Sequence, residues 1–159
     1  MILADRVPDH ALEGLLNALD RELSLLDRRE RQTDELRQAI IQADDAAMES
    51  LLDRMGQADR EQTLVDAEVG ALRSAVSAML DPRSPTMKLS ELVKRLPPGQ
   101  ADPIERRRAL IVRKITELRR LHVETAVLPC GWTRCSRGAP PPPPTMPAAG
   151  STGRGPAGS

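Results

Sequence analysis

No glycine or proline interrupts residues 15 to 55, and so long a stretch without a breaker favours extended helix over any fold built from short elements. From Asp9 the apolar side chains fall at Leu12, Leu16, Leu19, Leu23 and Leu26. These alternating steps of four and three place them on one stripe of a helix. Asp9, directly after Pro8, suits its N-cap. The stripe turns polar through DRRERQTDE from Asp27 and resumes at Leu36, Ile40 and Ala43. That polar middle is either a helix reaching past its partners or a solvated section held by local charges such as Asp27 with Arg31.

Asp44 and Asp45 break the rhythm and are good cap types, so a turn over residues 42 to 46 can reverse the chain into a second helix. A single continuous helix is the competing reading. The following stripe is Ala47, Leu51, Met55, Ala58, Gln62, Val65, Val69, Leu72, Val76 and Met79, again in steps of three and four. Two helices of roughly 35 residues would each be about 50 Å long. The expected class is all-α, an elongated antiparallel helical hairpin or coiled coil.

Pro82 and Pro85 in DPRSPT end the second helix by Asp81. LSELVKRL then reads as a short amphipathic helix with Leu89, Leu92, Val93 and Leu96 on one side, stopped by PPGQ. Asp102-Pro103-Ile104-Glu105 has the order of a capping box and predicts a further C-terminal helix from Pro103. Its inward stripe is Ile104, Ile111, Ile115, Leu118 and His122, with Leu110, Leu121 and Leu128 on a flanking line, and Pro129 is expected to end it. Residues 129 to 159 hold 8 Pro and 6 Gly with no Leu, Ile, Val, Asp or Glu. Such a stretch cannot build a core. The expected organisation is a helical domain over residues 1–128 and a disordered Pro/Gly-rich tail over 129–159.

The formal charge of zero conceals an asymmetry: residues 1 to 81 sum to −9, residues 82 to 128 to +6 and the remainder to +3. Opposite fields on two segments favour their packing together over a general polyanion-binding role. Phe and Tyr are absent and the one Trp, Trp132, lies in the tail, so the core must be aliphatic and base-stacking platforms have no raw material. The N-terminus MILADRVPDH meets charge at Asp5 before a signal-peptide core could form, and no apolar run of membrane-spanning length exists. A cytoplasmic protein with no stable membrane insertion is expected.

Catalytic chemistry finds no local geometry. There is no Walker loop, GxGxxG, HExxH or GxSxG. The acidic pairs Asp44/Asp45 and Asp34/Glu35 have no paired histidine to shift them, and His122 has no partner to act as a base. Cys130 and Cys135 lack the second pair a zinc site needs. No enzyme activity, cofactor or metal is expected. The basic group Arg106, Arg107, Arg108, Arg113, Lys114, Arg119 and Arg120 is spread around its helix, which disfavours DNA as a partner.

Two long helices, a proline break, a short LSEL helix and a capped final helix together resemble the FlgN-type flagellar export chaperones. The segments that carry the resemblance are LNALDRELSLLDRRERQTDEL, IIQADDAAMESLLDRMGQADREQTLVDAEVGAL, MKLSELVKRLPPG and DPIERRRALIVRKITELRRLHVETAVL, spanning about residues 9 to 128. The resemblance implies a chaperone that binds hook-associated (hook-filament junction) proteins and delivers them to the flagellar type III export gate, its final helix taking part in cargo capture. It implies Leu110, Leu121 and Leu128 as partner-binding residues. The chain departs from the family at RRLHVETAVLP, where members usually have a polar Asn-rich stretch and a longer continuation that Pro129 and the tail replace here. The alternative reading is a structural coiled-coil scaffold that uses the same stripes to self-assemble as a homodimer.

Overall fold

The structure, a computed structural model, describes residues 6–136. Four helices follow one another: α1 (Asp9–Ile41), α2 (Asp45–Leu80), α3 (Leu89–Arg95) and α4 (Pro98–Ser136). The described residues contain no strand. The expected all-α hairpin with a short helix and a further C-terminal helix is the observed architecture.

The reversal falls at the two aspartates. Ala43 adopts a left-handed conformation with φ 52°. This lets the Ala43 amide donate to the Ile40 carbonyl oxygen at 3.1 Å and the Asp44 amide donate to that of Ala39 at 3.0 Å, which satisfies the last carbonyls of α1. The Asp44 carboxylate then accepts from the Ala47 amide at 3.1 Å and caps α2. The other two expected caps differ. The α1 cap position is Pro8, whose carbonyl receives the Ala11 and Leu12 amides, and Asp9 is the first helical residue. Proline's fixed φ starts the helix without a side-chain acceptor.

The α4 start is corrected from Pro103 to Pro98. The Gln100 and Ala101 amides both donate to the Pro97 carbonyl at 2.9 Å, with Pro98 at the first helical position where a proline loses nothing. Asp102 is therefore an exposed residue inside the helix rather than its cap. Ala101 and Ile104 are both buried in the core, so the earlier start holds two apolar side chains in place. The expected end at Leu128 is also corrected. α4 passes through Pro129 to Ser136, because a late proline deletes one backbone hydrogen bond while later amides still reach back along the helix. Residues 137–159, most of the expected disordered tail, lie outside the described residues.

The long helices are aligned by charge. On the α1/α2 seam Arg21 pairs with Glu68, Arg28 with Glu61 and Glu35 with Arg54, so every seven residues forward on α1 is met by seven backward on α2. The two helices are antiparallel. On the other side Asp20 meets Arg107 at 2.7 Å, Asp27 meets Lys114 and Arg37 meets Glu124 at 3.9 Å, a constant offset that makes α1 and α4 parallel. The charges of the polar middle of α1 reach across to neighbouring helices: Asp27 and Glu30 meet Lys114, and Arg29 meets Asp59, in place of the expected Asp27–Arg31 pair. Packing of the basic C-terminal segment on the acidic hairpin is thus visible as individual contacts. Each exposed pair contributes little to stability, well under about 1 kcal/mol. Together they fix alignment.

α1 is the middle helix, and α2 and α4 lie against it without packing on each other. It therefore buries two faces, adding Leu15, Ala18 and Leu25 to the stripe read from the sequence. The hydrophobic core gathers at the end where α3 sits: Leu15, Leu19, Val76, Leu92 and Ile104 are almost fully enclosed, and Met87 and Leu96 close the bottom. Toward the Ala43 turn the interior becomes thin and polar. Gln32, Thr33 and Thr125 are buried there, with only Ala39, Leu51 and Ala58 as buried apolar neighbours in the hairpin.

Candidate functional site

Two surfaces left over by this packing can engage a partner. The first is the flank of α4. Its buried stripe is Ile104, Ile111 and Leu118, with Ile115 packed beside them. Of the flanking line, Leu110 is 37% exposed, and Leu121 and Leu128 are half-buried. His122 is exposed, which corrects its assignment to the inward stripe. Past Leu118 the buried position is Thr125, with Leu121 and Leu128 half-buried beside it and His122 outside.

Electrostatics around this flank are closed locally. Lys114 is raised above the usual lysine value, chiefly by its hydrogen bond to Asp27 and then by the nearby charges of Asp27 and Glu30. Arg120 lies between Glu117 and Glu124, and hydrogen bonding from Arg120 holds the Glu117 carboxyl below the usual range. Arg108 grips Glu105 through two bonds of 2.8 and 2.9 Å and lowers it likewise. Four of the seven basic side chains on this stretch are thereby committed to carboxylates: Arg107, Arg108, Lys114 and Arg120.

The second surface is a cleft of about 330 Å³ between α2 and α4, floored by α1. Leu19, Val69, Leu89 and Ile111 form its apolar walls, and Val112, 53% exposed, stands on its rim. Glu22 on the floor and Asp66 on α2 place two carboxylates in it. The Glu22 carboxyl is raised above the usual glutamate value, first by burial and second by the charge of Asp66. Neither acid has a salt-bridge partner among the described residues, and Asp66 accepts only from Gln62, at 2.7 Å. Arg73 also lines the cleft, its buried Nε without a hydrogen-bond partner.

The sequence held a trace of this cleft. Glu22 and Arg29 follow Leu15 in steps of seven, so two charges occupy the seam position of a buried leucine. That the cleft is open depends on α1 holding α2 and α4 apart, which no stripe on a single helix reveals. A wider hollow of about 450 Å³ at the α2–α3 connection is lined mainly by polar residues, including Arg83, Glu91, Lys94 and Arg95.

Among the described residues no group of three or more His, Cys, Asp or Glu could hold a metal ion, and no helix is long and apolar enough to cross a membrane. No family model matches the chain, and no curated protein or solved structure matches it either.

Proposed function

We propose that the chain is a flagellar export chaperone, cytoplasmic in its working location, that binds hook-associated proteins and presents them to the type III export gate. The observation that carries the reading is the division of α4 into two lines. Ile104, Ile111 and Leu118 are spent on the bundle, while Leu110 is exposed and Leu121 and Leu128, in line with it, are only half covered. A leucine line at helical spacing suits an amphipathic client helix laid along it, which would shield that helix from self-association. No covalent step is involved. The commitment of Arg107, Arg108, Lys114 and Arg120 to carboxylates weighs against a role in phosphate contact.

The test is co-purification of a hook-associated protein with the wild-type chain and two variants, alongside thermal melts. Leu121→Asp is expected to abolish capture while melting close to wild type, because its carboxylate stays solvated in the free protein and is buried only in the complex. Ile115→Asp, packed against the core, is expected to unfold the bundle. Normal capture by Leu121→Asp would overturn the assignment of the flank. A wild-type chain that captures no hook-associated protein would overturn the export reading and leave the self-assembling scaffold.

A further inference from the structure

The α2/α4 cleft is separate from the leucine flank, and its chemistry specifies a different occupant. Leu19, Val69, Leu89 and Ile111 give it apolar walls, and Glu22 and Asp66 stand among them with no salt-bridge partner for either among the described residues. The basic group on the facing wall, Arg108, is held by both oxygens of Glu105. Arg73, seven residues beyond Asp66 and so two turns along the same face, also lines the cleft, and its buried Nε has no hydrogen-bond partner. The apolar surface also continues past the cleft itself. Leu52, two heptads before Asp66, is 58% exposed, and Val123, three turns after Val112, is 65% exposed.

Residues 129–159 contain no Leu, Ile or Val with which to cover this surface. The chain's own basic helix, α4, has its apolar stripe committed to α1. We propose that the cleft seats an amphipathic helix of a partner protein, with a lysine or arginine on its apolar side placed between Glu22 and Asp66 and a carboxylate two turns away facing Arg73. Such a helix would complete a four-helix bundle around α1. It would supply a cation to two carboxylates that have no salt-bridge partner among the described residues. This inference does not depend on the export reading, since the leucine flank plays no part in it.

The experiment uses the full chain and two labelled synthetic helices. Both carry leucine and alanine on one face. The first has a single lysine at the centre of that face and a glutamate two turns on, and the second has glutamate in place of the lysine. By fluorescence anisotropy the lysine helix is expected to bind about tenfold or more tightly than the second, in keeping with one close charge pair at a desolvated site. Val112→Asp, at an exposed position that does not threaten folding, should weaken the lysine helix by about the same factor. The double variant Glu22→Gln/Asp66→Asn should keep apolar binding and lose the preference for lysine. Leu64→Asp, 72% exposed and outside the cleft, should change nothing. Equal binding of the two helices by the wild-type protein would overturn the proposal, as would a loss from Leu64→Asp equal to that from Val112→Asp. Sedimentation showing a dimer that Val112→Asp alone disperses would also overturn it, by assigning the cleft to a second copy of the chain.

Discussion

The Asp44 amide donates to the Ala39 carbonyl oxygen at 3.0 Å, so the residue whose carboxylate opens α2 is also the one whose backbone closes α1. Both ends of the hairpin turn depend on one residue, and its neighbour Ala43 holds the left-handed conformation that makes this geometry available.

Ala43→Gly is expected to stabilise the protein by about 0.5–1 kcal/mol, because glycine adopts that conformation without a Cβ clash. Asp44→Ala is expected to cost about 1 kcal/mol through loss of the cap. Urea denaturation of the two variants measures both, and shifts of the same sign would contradict the turn described.

Gly56 lies inside α2, and a Cβ placed there would meet no atom within 4 Å. Gly56→Ala should therefore raise stability by about 1 kcal/mol from helix propensity alone. Asp102→Ala, by contrast, should leave the denaturation midpoint nearly unchanged, since Asp102 makes no capping bond in a helix that starts at Pro98.

The raised carboxyl of Glu22 sets a pH dependence with a definite sign. An acid that holds its proton more tightly when folded destabilises the fold above its folded value, and that penalty fades as pH falls toward the unfolded value of 4.5. Glu22→Gln should therefore melt higher than wild type at pH 7 to 8, with the difference shrinking steadily and closing below about pH 4.5. A difference independent of pH would show that Glu22 acts through packing rather than charge.

The half of the bundle nearest the Ala43 turn should open first. Five buried polar atoms there, on Arg28, Gln32, Arg37, Gln62 and Thr125, have no hydrogen-bond partner, and no residue between Leu26 and Val69 belongs to the hydrophobic core. Hydrogen exchange is expected to be faster in residues 30–62 than in 12–26 and 76–96. Uniform protection along α1 would contradict this gradient.

The helices were legible because their interiors lack breakers and their leucines keep step, and Asp44 announced the turn by being a cap residue where the stripe failed. The start of α4 was misread because two signals compete within six residues. DPIE satisfies a capping pattern, but Pro97-Pro98 satisfies the start as well and lets Ala101 enter the core. The leucine flank followed from periodicity within one helix. The cleft did not, because its walls belong to helices whose separation is set by a third. The second buried face of α1, with Leu15, Ala18 and Leu25, was missed for the same reason: a helix shows its number of neighbours only once they are in place.

The reversed polarity of the last rung on the α1/α2 seam settles which alignment of the hairpin survives. A slip of one heptad in one direction would keep Arg21 opposite an acid, Glu61, but set Arg28 against Arg54. A slip the other way would keep Arg28 opposite Glu68 but set Glu35 against Glu61. Leucine repeats alone tolerate such shifts, since one heptad looks like the next. Because Glu35 and Arg54 exchange the signs carried by the two rungs before them, either sliding error trades an attraction for a repulsion, and the cleft walls on α2 keep a fixed height against the floor on α1.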